Sequence, residues 1–113
     1  MSYWTLESLV REIRAINSAW KAAREYYGSG SQVALALRET KSALQFSLLR
    51  DPVYKVYLKI DTDVDDATEE LFGIHLPQAV DGVWDAAHLP VRVAQEHFTD
   101  EELARLTNKA NNS

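Results

Sequence analysis

Cysteine is absent from the 113 residues. That removes disulfide frameworks, thiolate zinc sites, cysteine nucleophiles and thiol redox chemistry together. Long apolar runs are missing as well. The longest, Val33-Ala34-Leu35-Ala36-Leu37, falls far short of the roughly 20 residues a bilayer-spanning helix needs, so no membrane association is expected. The opening "MSYWTLESLVREIR" lacks a basic segment followed by an apolar block and a small-residue cleavage site. It reads without a signal peptide, and the expected location is cytoplasmic.

Basic residues are scarce in one half only. Residues 61–113 carry three Lys/Arg against twelve Asp/Glu, a net −9, whereas residues 1–60 carry nine against five, a net +4. The two recover the overall −5. An acidic half of this kind attracts basic partners and repels phosphate, so nucleic acid is disfavoured as a ligand. The length and the 46% hydrophobic content suit one globular domain over 1–113, with residues from about 108 onward (in "NKANNS") expected to fray.

The clearest periodicity lies at the start. Leu6, Leu9, Ile13, Ile16, Trp20, Ala23 and Tyr27 recur at alternating spacings of three and four, a narrow stripe on one helix face. Thr5 can cap this helix and Gly28 can stop it, which predicts a helix over 4–27. The stripe could also pair two copies of the chain.

Residues 32–60 decide the fold. Their composition up to Arg50 favours helix, but Arg38-Glu39-Thr40-Lys41-Ser42 are all polar and span about 500° of helical rotation, so no apolar stripe crosses them. Val33, Leu35 and Leu37 alternate, as do Leu44, Phe46 and Leu48, and then Tyr54, Val56, Leu58 and Ile60. Three strands near 32–38, 43–50 and 53–60 are therefore expected, forming an antiparallel meander. The remainder reads as short helices: one through Val64, Ala67 and Leu71 to Gly73, one opened by Pro77 with Val80, Val83, Trp84 and Ala87 inward, and one restarting at Pro90. The last starts at "FTDEEL", where Thr99 and Glu102 form a capping box. The expected class is α+β: a long N-terminal helix packed on a three-stranded antiparallel meander, followed by three or four short helices. An all-α bundle is the alternative.

Chemistry-bearing patterns are few. "DTDVDDATEE" places Asp61, Asp63, Asp65, Asp66, Glu69 and Glu70 within ten residues. Three match the first ligands of a calcium loop, but Asp66 stands where such a loop needs Gly and Phe72 where it needs Glu. Helix capping at Asp63 or Asp66 accounts for some of these acids, and the surplus suggests a binding surface. His75, His88 and His97 form no i, i+4 zinc pair. Glu39-Thr40-Lys41 matches a nuclease E-x-K fragment without the companion carboxylate. Lys55, Tyr57 and Lys59 could flank a single strand of nucleic acid, or equally be an exposed strand face. No catalytic, cofactor or metal residues emerge.

The sequence thus reads as a non-catalytic protein-binding module, such as a small inhibitor, immunity-type or adaptor protein. Its partner would be a basic protein, for instance a nuclease or another nucleic-acid-handling protein. Asp61, Asp63, Asp65, Asp66, Glu69 and Glu70 would supply charge, with Tyr57 and Trp84 as apolar anchors. The alternatives are a small metal-assisted enzyme using the 61–70 carboxylates with a histidine, and a homo-oligomer built through the first helix.

Overall fold

In the computed structural model, residues 5–61 and 69–108 are described. The class is α+β, with four α-helices and a three-stranded antiparallel sheet among those residues. The chain forms two compact units, Met1–Arg50 and Asp51–Ser113. Charge divides with them. The first holds seven Lys/Arg against four Asp/Glu, a net +3, and the second five against thirteen, a net −8.

The first unit is a helical hairpin. Helix α1 (Leu6–Tyr27) begins as its sequence indicates: Thr5 Oγ1 accepts from Ser8 N–H at 3.1 Å, and Ser8 Oγ returns a bond to Thr5 N–H at 2.9 Å. It ends at Gly28, whose φ of 92° suits a residue without Cβ and whose N–H donates to Arg24 O. Ser31 then caps α2 (Gln32–Arg50), accepting from Ala34 N–H at 3.2 Å. The "GSGS" connector is thus a helix stop and a helix start. Leu9, Ile13 and Ala23 of the α1 stripe are buried in the single chain.

Residues 32–50 are helical, which overturns the two strands expected near 32–38 and 43–50. The buried positions of α2 are Ala34, Lys41, Gln45, Leu48 and Leu49; the first four, at spacings of seven, four and three, belong to one helix face, and Leu49 borders it. That stripe does pass through the polar run, because a lysine occupies it. Lys41 is 5% exposed; its ammonium lies 4.3 Å over the Trp20 ring and 3.3 Å from Asn17 Oδ1. Its four-carbon stem packs like an apolar side chain while its head finds an aromatic face and an amide oxygen. Thr40 and Ser47 spend their hydroxyls on the carbonyls of Ala36 and Ala43, so they fit within the helix.

The second unit opens with a 3₁₀ turn, Pro52–Tyr54, capped by Asp51 Oδ1 on Val53 N–H. Lys55 adopts φ 55°, and only then does β1 (Tyr57–Asp61) begin, so the strand expected over 53–60 is shorter and later. Strands β2 (Leu71–Val80) and β3 (Val83–Pro90) complete a sheet of order β1-β2-β3. These strands stand where helices were expected to stop at Gly73 and to run on from Pro77. Asp81 (φ 55°) and Gly82 (φ 79°) explain the second correction. Both take the positive φ that a two-residue type I′ hairpin requires, and Asp-Gly is a preferred pair for it.

Short helices α3 (Val91–His97) and α4 (Asp100–Asn108) follow. They pack against β3 and β1 respectively, beside the buried Leu58, Phe72, Ile74, Leu76 and Leu89. The capping box of α4 is present: Thr99 N–H donates to Glu102 Oε1 at 2.9 Å, and Glu102 N–H to Thr99 Oγ1 at 3.1 Å. Phe98 is buried, whereas His97 is exposed. The capping expected of Asp63 or Asp66 and the fraying expected from about residue 108 fall on residues outside the described ones, apart from Asn108, which closes α4.

Burial, then the like charges of Lys21, Arg38 and Arg24, lower the Lys41 pKa from 10.5 to about 8. The unfolded chain therefore holds this proton more tightly. Charged Lys41 costs stability in full below pH 8, and the cost fades as pH rises from about 8 to 10.5. The shift corresponds to about 3 kcal/mol. Lys41→Met is expected to stabilise the protein at pH 7 by roughly 1–3 kcal/mol. In urea unfolding at several pH values, that advantage should shrink between pH 8 and 10.5. A destabilised variant, or an advantage independent of pH, would contradict this account of Lys41.

Candidate functional site

The outward face of the sheet gathers the chemistry-bearing residues of the second unit. Register pairs Tyr57 with His75, Lys59 with Gly73 and Asp61 with Leu71 across β1 and β2. It also pairs Gly73 with His88 and His75 with Asp85 across β2 and β3. Between the last two pairs, one residue of β2 (Ile74) faces two of β3 (Ala86 and Ala87), which is a β-bulge. Ala87 takes φ 65°, and its N–H donates to Asp85 Oδ1 at 3.3 Å. Without the extra residue, Asp85 and His88 would face opposite sides of the sheet. The bulge turns both outward.

Asp61 and His88 sit on strands that are not neighbours, yet Asp61 Oδ2 and His88 Nε2 are 2.8 Å apart. They meet over Gly73, where no side chain intervenes. A Cβ there would lie 3.3 Å from His75 Nε2 and 3.6 Å from Asp61 Oδ2, so His75 leans over the same spot. Tyr57 stacks on His75 with centroids 5.1 Å apart and planes within 10°. The Asp61 and His88 side chains remain 32% and 35% exposed, so solvent reaches the pair and screens it.

The other end of the acidic segment is also tied down. Glu69 takes the Arg92 guanidinium in a fork of two 3.4 Å contacts, and Glu70 O accepts from Val91 N–H at 3.1 Å. Of the acids singled out from the sequence, Asp61 and Glu69 therefore serve internal contacts, Glu70 is exposed, and Asp63, Asp65 and Asp66 lie outside the described residues. The metal-assisted alternative has the Asp61–His88 contact to rest on, but among the described residues no three His, Asp or Glu groups are placed to hold a metal ion.

Trp84 is elsewhere. It is 59% exposed beside the turn at Asp81-Gly82, with Val83 also exposed, where sequence patterning favoured core packing. Seven strand positions separate Val83 from Pro90, about 23 Å at the usual rise. The structure therefore joins Tyr57, Asp61, His75 and His88, and puts Trp84 toward the far end of the sheet from Asp61, one residue from the Asp85 that pairs with His75. The two histidines were not assigned to a site from sequence. Their grouping depends on the register and the bulge, and a glycine flanked by alternating residues was the faint signal available. Comparison with protein-family models, with curated proteins and with solved structures finds no match.

If Gly73 makes the Asp61–His88 contact possible, side-chain size at position 73 should grade the damage. Gly73→Ala is expected to stay within about 1 kcal/mol of the parent, because the tip of His75 can give way. Gly73→Val should cost about 1–3 kcal/mol in urea unfolding by overpacking this spot. Equal stability of the parent and the valine variant would refute the arrangement.

Proposed function

We propose that the protein is a non-catalytic binding module, such as a small inhibitor, immunity-type or adaptor protein, whose acidic unit engages a basic protein partner. A nuclease or another nucleic-acid-handling protein fits that description, because its phosphate-binding surface is positively charged. The observation that carries the reading is the exposed Trp84 beside the two-residue turn of a hairpin, on a unit of net charge −8. Tryptophan is enriched among the residues that dominate binding energy, and a tight turn presents it at low ordering cost.

Charge and anchor divide the work. The carboxylates of 61–70, Asp63, Asp65 and Asp66 included, contribute the long-range field that steers a basic surface inward and resemble a run of phosphates to it. Asp81, in the adjoining turn, adds a carboxylate close to the anchor in the chain. Tyr57, half-buried in its stack with His75, supports the sheet face between the two ends.

The test is a native pull-down with partner identification, comparing the parent with Trp84→Ala and Asp81→Asn. The asparagine keeps the positive φ that the turn needs. Trp84→Ala should leave folding intact and weaken the recovered complex at least about tenfold, beyond 1.4 kcal/mol. Asp81→Asn should weaken it less. Recovery of the same partner at equal strength with Trp84→Ala would remove the proposed anchor.

A further inference from the structure

Lys41 is buried without a carboxylate. The charges acting on it are those of Lys21, Arg38 and Arg24, all of its own sign. Asn17, Trp20, Lys21 and Arg24 stand at i, i+3, i+4 and i+7 of α1, one helix face, and Arg38 and Lys41 lie three apart on α2. The Trp20 ring carries two cations, the Lys41 ammonium at 4.3 Å and the Arg24 guanidinium at 4.7 Å. Lys21, Arg24 and Arg38 are exposed around the buried lysine. Among the described residues none of these four cations makes an ion pair, although Glu25 and Glu39 sit on the same two helices.

The Trp20 and Asn17 contacts offset only part of what this arrangement costs a helical hairpin. Like charges converge, and one of them is desolvated, at a cost that methionine of similar length would avoid. Costs of that kind concentrate at sites that bind or react. The geometry points to an anion site on the α1–α2 hairpin, formed by Lys21, Arg24, Arg38 and Lys41 around Trp20, that takes a phosphate group on a small molecule. Four cations outnumber the single charge of a carboxylate and suit a dianion. Two guanidinium forks and two ammonium groups also match the several oxygens of a phosphoryl group. Asn17 Oδ1 holds the Lys41 head in place, so the site is pre-organised before a ligand arrives.

The site lies in the basic unit and is independent of the proposed partner surface. Its test uses inorganic phosphate, pyrophosphate and acetate on the full chain, with ionic strength held constant by chloride. The readout is the Trp20 indole N–H in ¹H–¹⁵N spectra, assigned with Trp20→Phe. Phosphate and pyrophosphate should shift that signal saturably, with acetate at least tenfold weaker. Lys41→Met, which removes the buried charge while filling the same space, should weaken phosphate at least tenfold, and Arg38→Gln several-fold. No saturable shift with either phosphate, or acetate binding as tightly as phosphate, would overturn the site. So would a Lys41→Met variant that is folded and binds phosphate as the parent does.

Discussion

Like charges crowd together within each unit of this protein, and each unit accommodates them with few groups of opposite sign. In the helical hairpin, seven cations face four acids. The buried Lys41 therefore leans on an indole face and an amide oxygen, and its proton is loosened. In the sheet unit, thirteen acids face five cations, of which Arg92 is engaged with Glu69 and Glu96. Each unit is left with a surplus that a binding partner of the opposite sign can relieve. That surplus is what the two proposals address, a basic protein at the sheet unit and a phosphate group at the helical one.

Backbone devices determine where the surplus meets other chemistry. Gly73 leaves the central strand bare, so Asp61 and His88 can meet across it. The bulge at Ala86 and Ala87 turns His88 to the same face as Asp85, and an Ala held at positive φ is the strain that accompanies it. The Asp81-Gly82 turn ends β2 and leaves Trp84 exposed at the far end. Asp61 and the aromatic anchor consequently lie toward opposite ends of the sheet. Electrostatic steering tolerates such a distance, whereas direct contact by one small epitope does not.

What the sequence disclosed follows from how local each signal is. The first helix and the last were legible because Thr5, Gly28, Thr99 and Glu102 act within one turn of where they stand. The alternation of Tyr54, Val56, Leu58 and Ile60 marked β1 for the same reason. Helix α2 was hidden because its buried stripe runs through Lys41 and Gln45, and a polar/apolar pattern cannot show a lysine that packs by its stem. The α+β class stands, but its sheet is built from residues 57–90 rather than 32–60. There, Val80, Val83, Trp84 and Ala87 also match helical spacing, and the decisive signal was the Asp-Gly pair between two apolar residues. The grouping of His75 and His88 with Asp61 needs the register and the parity change at the bulge, neither of which a local pattern contains.

The central claim is that an acidic unit finds a basic partner through its charge and holds it through Trp84. The most direct measurement is the association rate constant of that complex as ionic strength rises from about 0.05 to 0.5 M. Steered association predicts a fall of about tenfold or more, with dissociation changing far less. An association rate unchanged over that range would contradict the account.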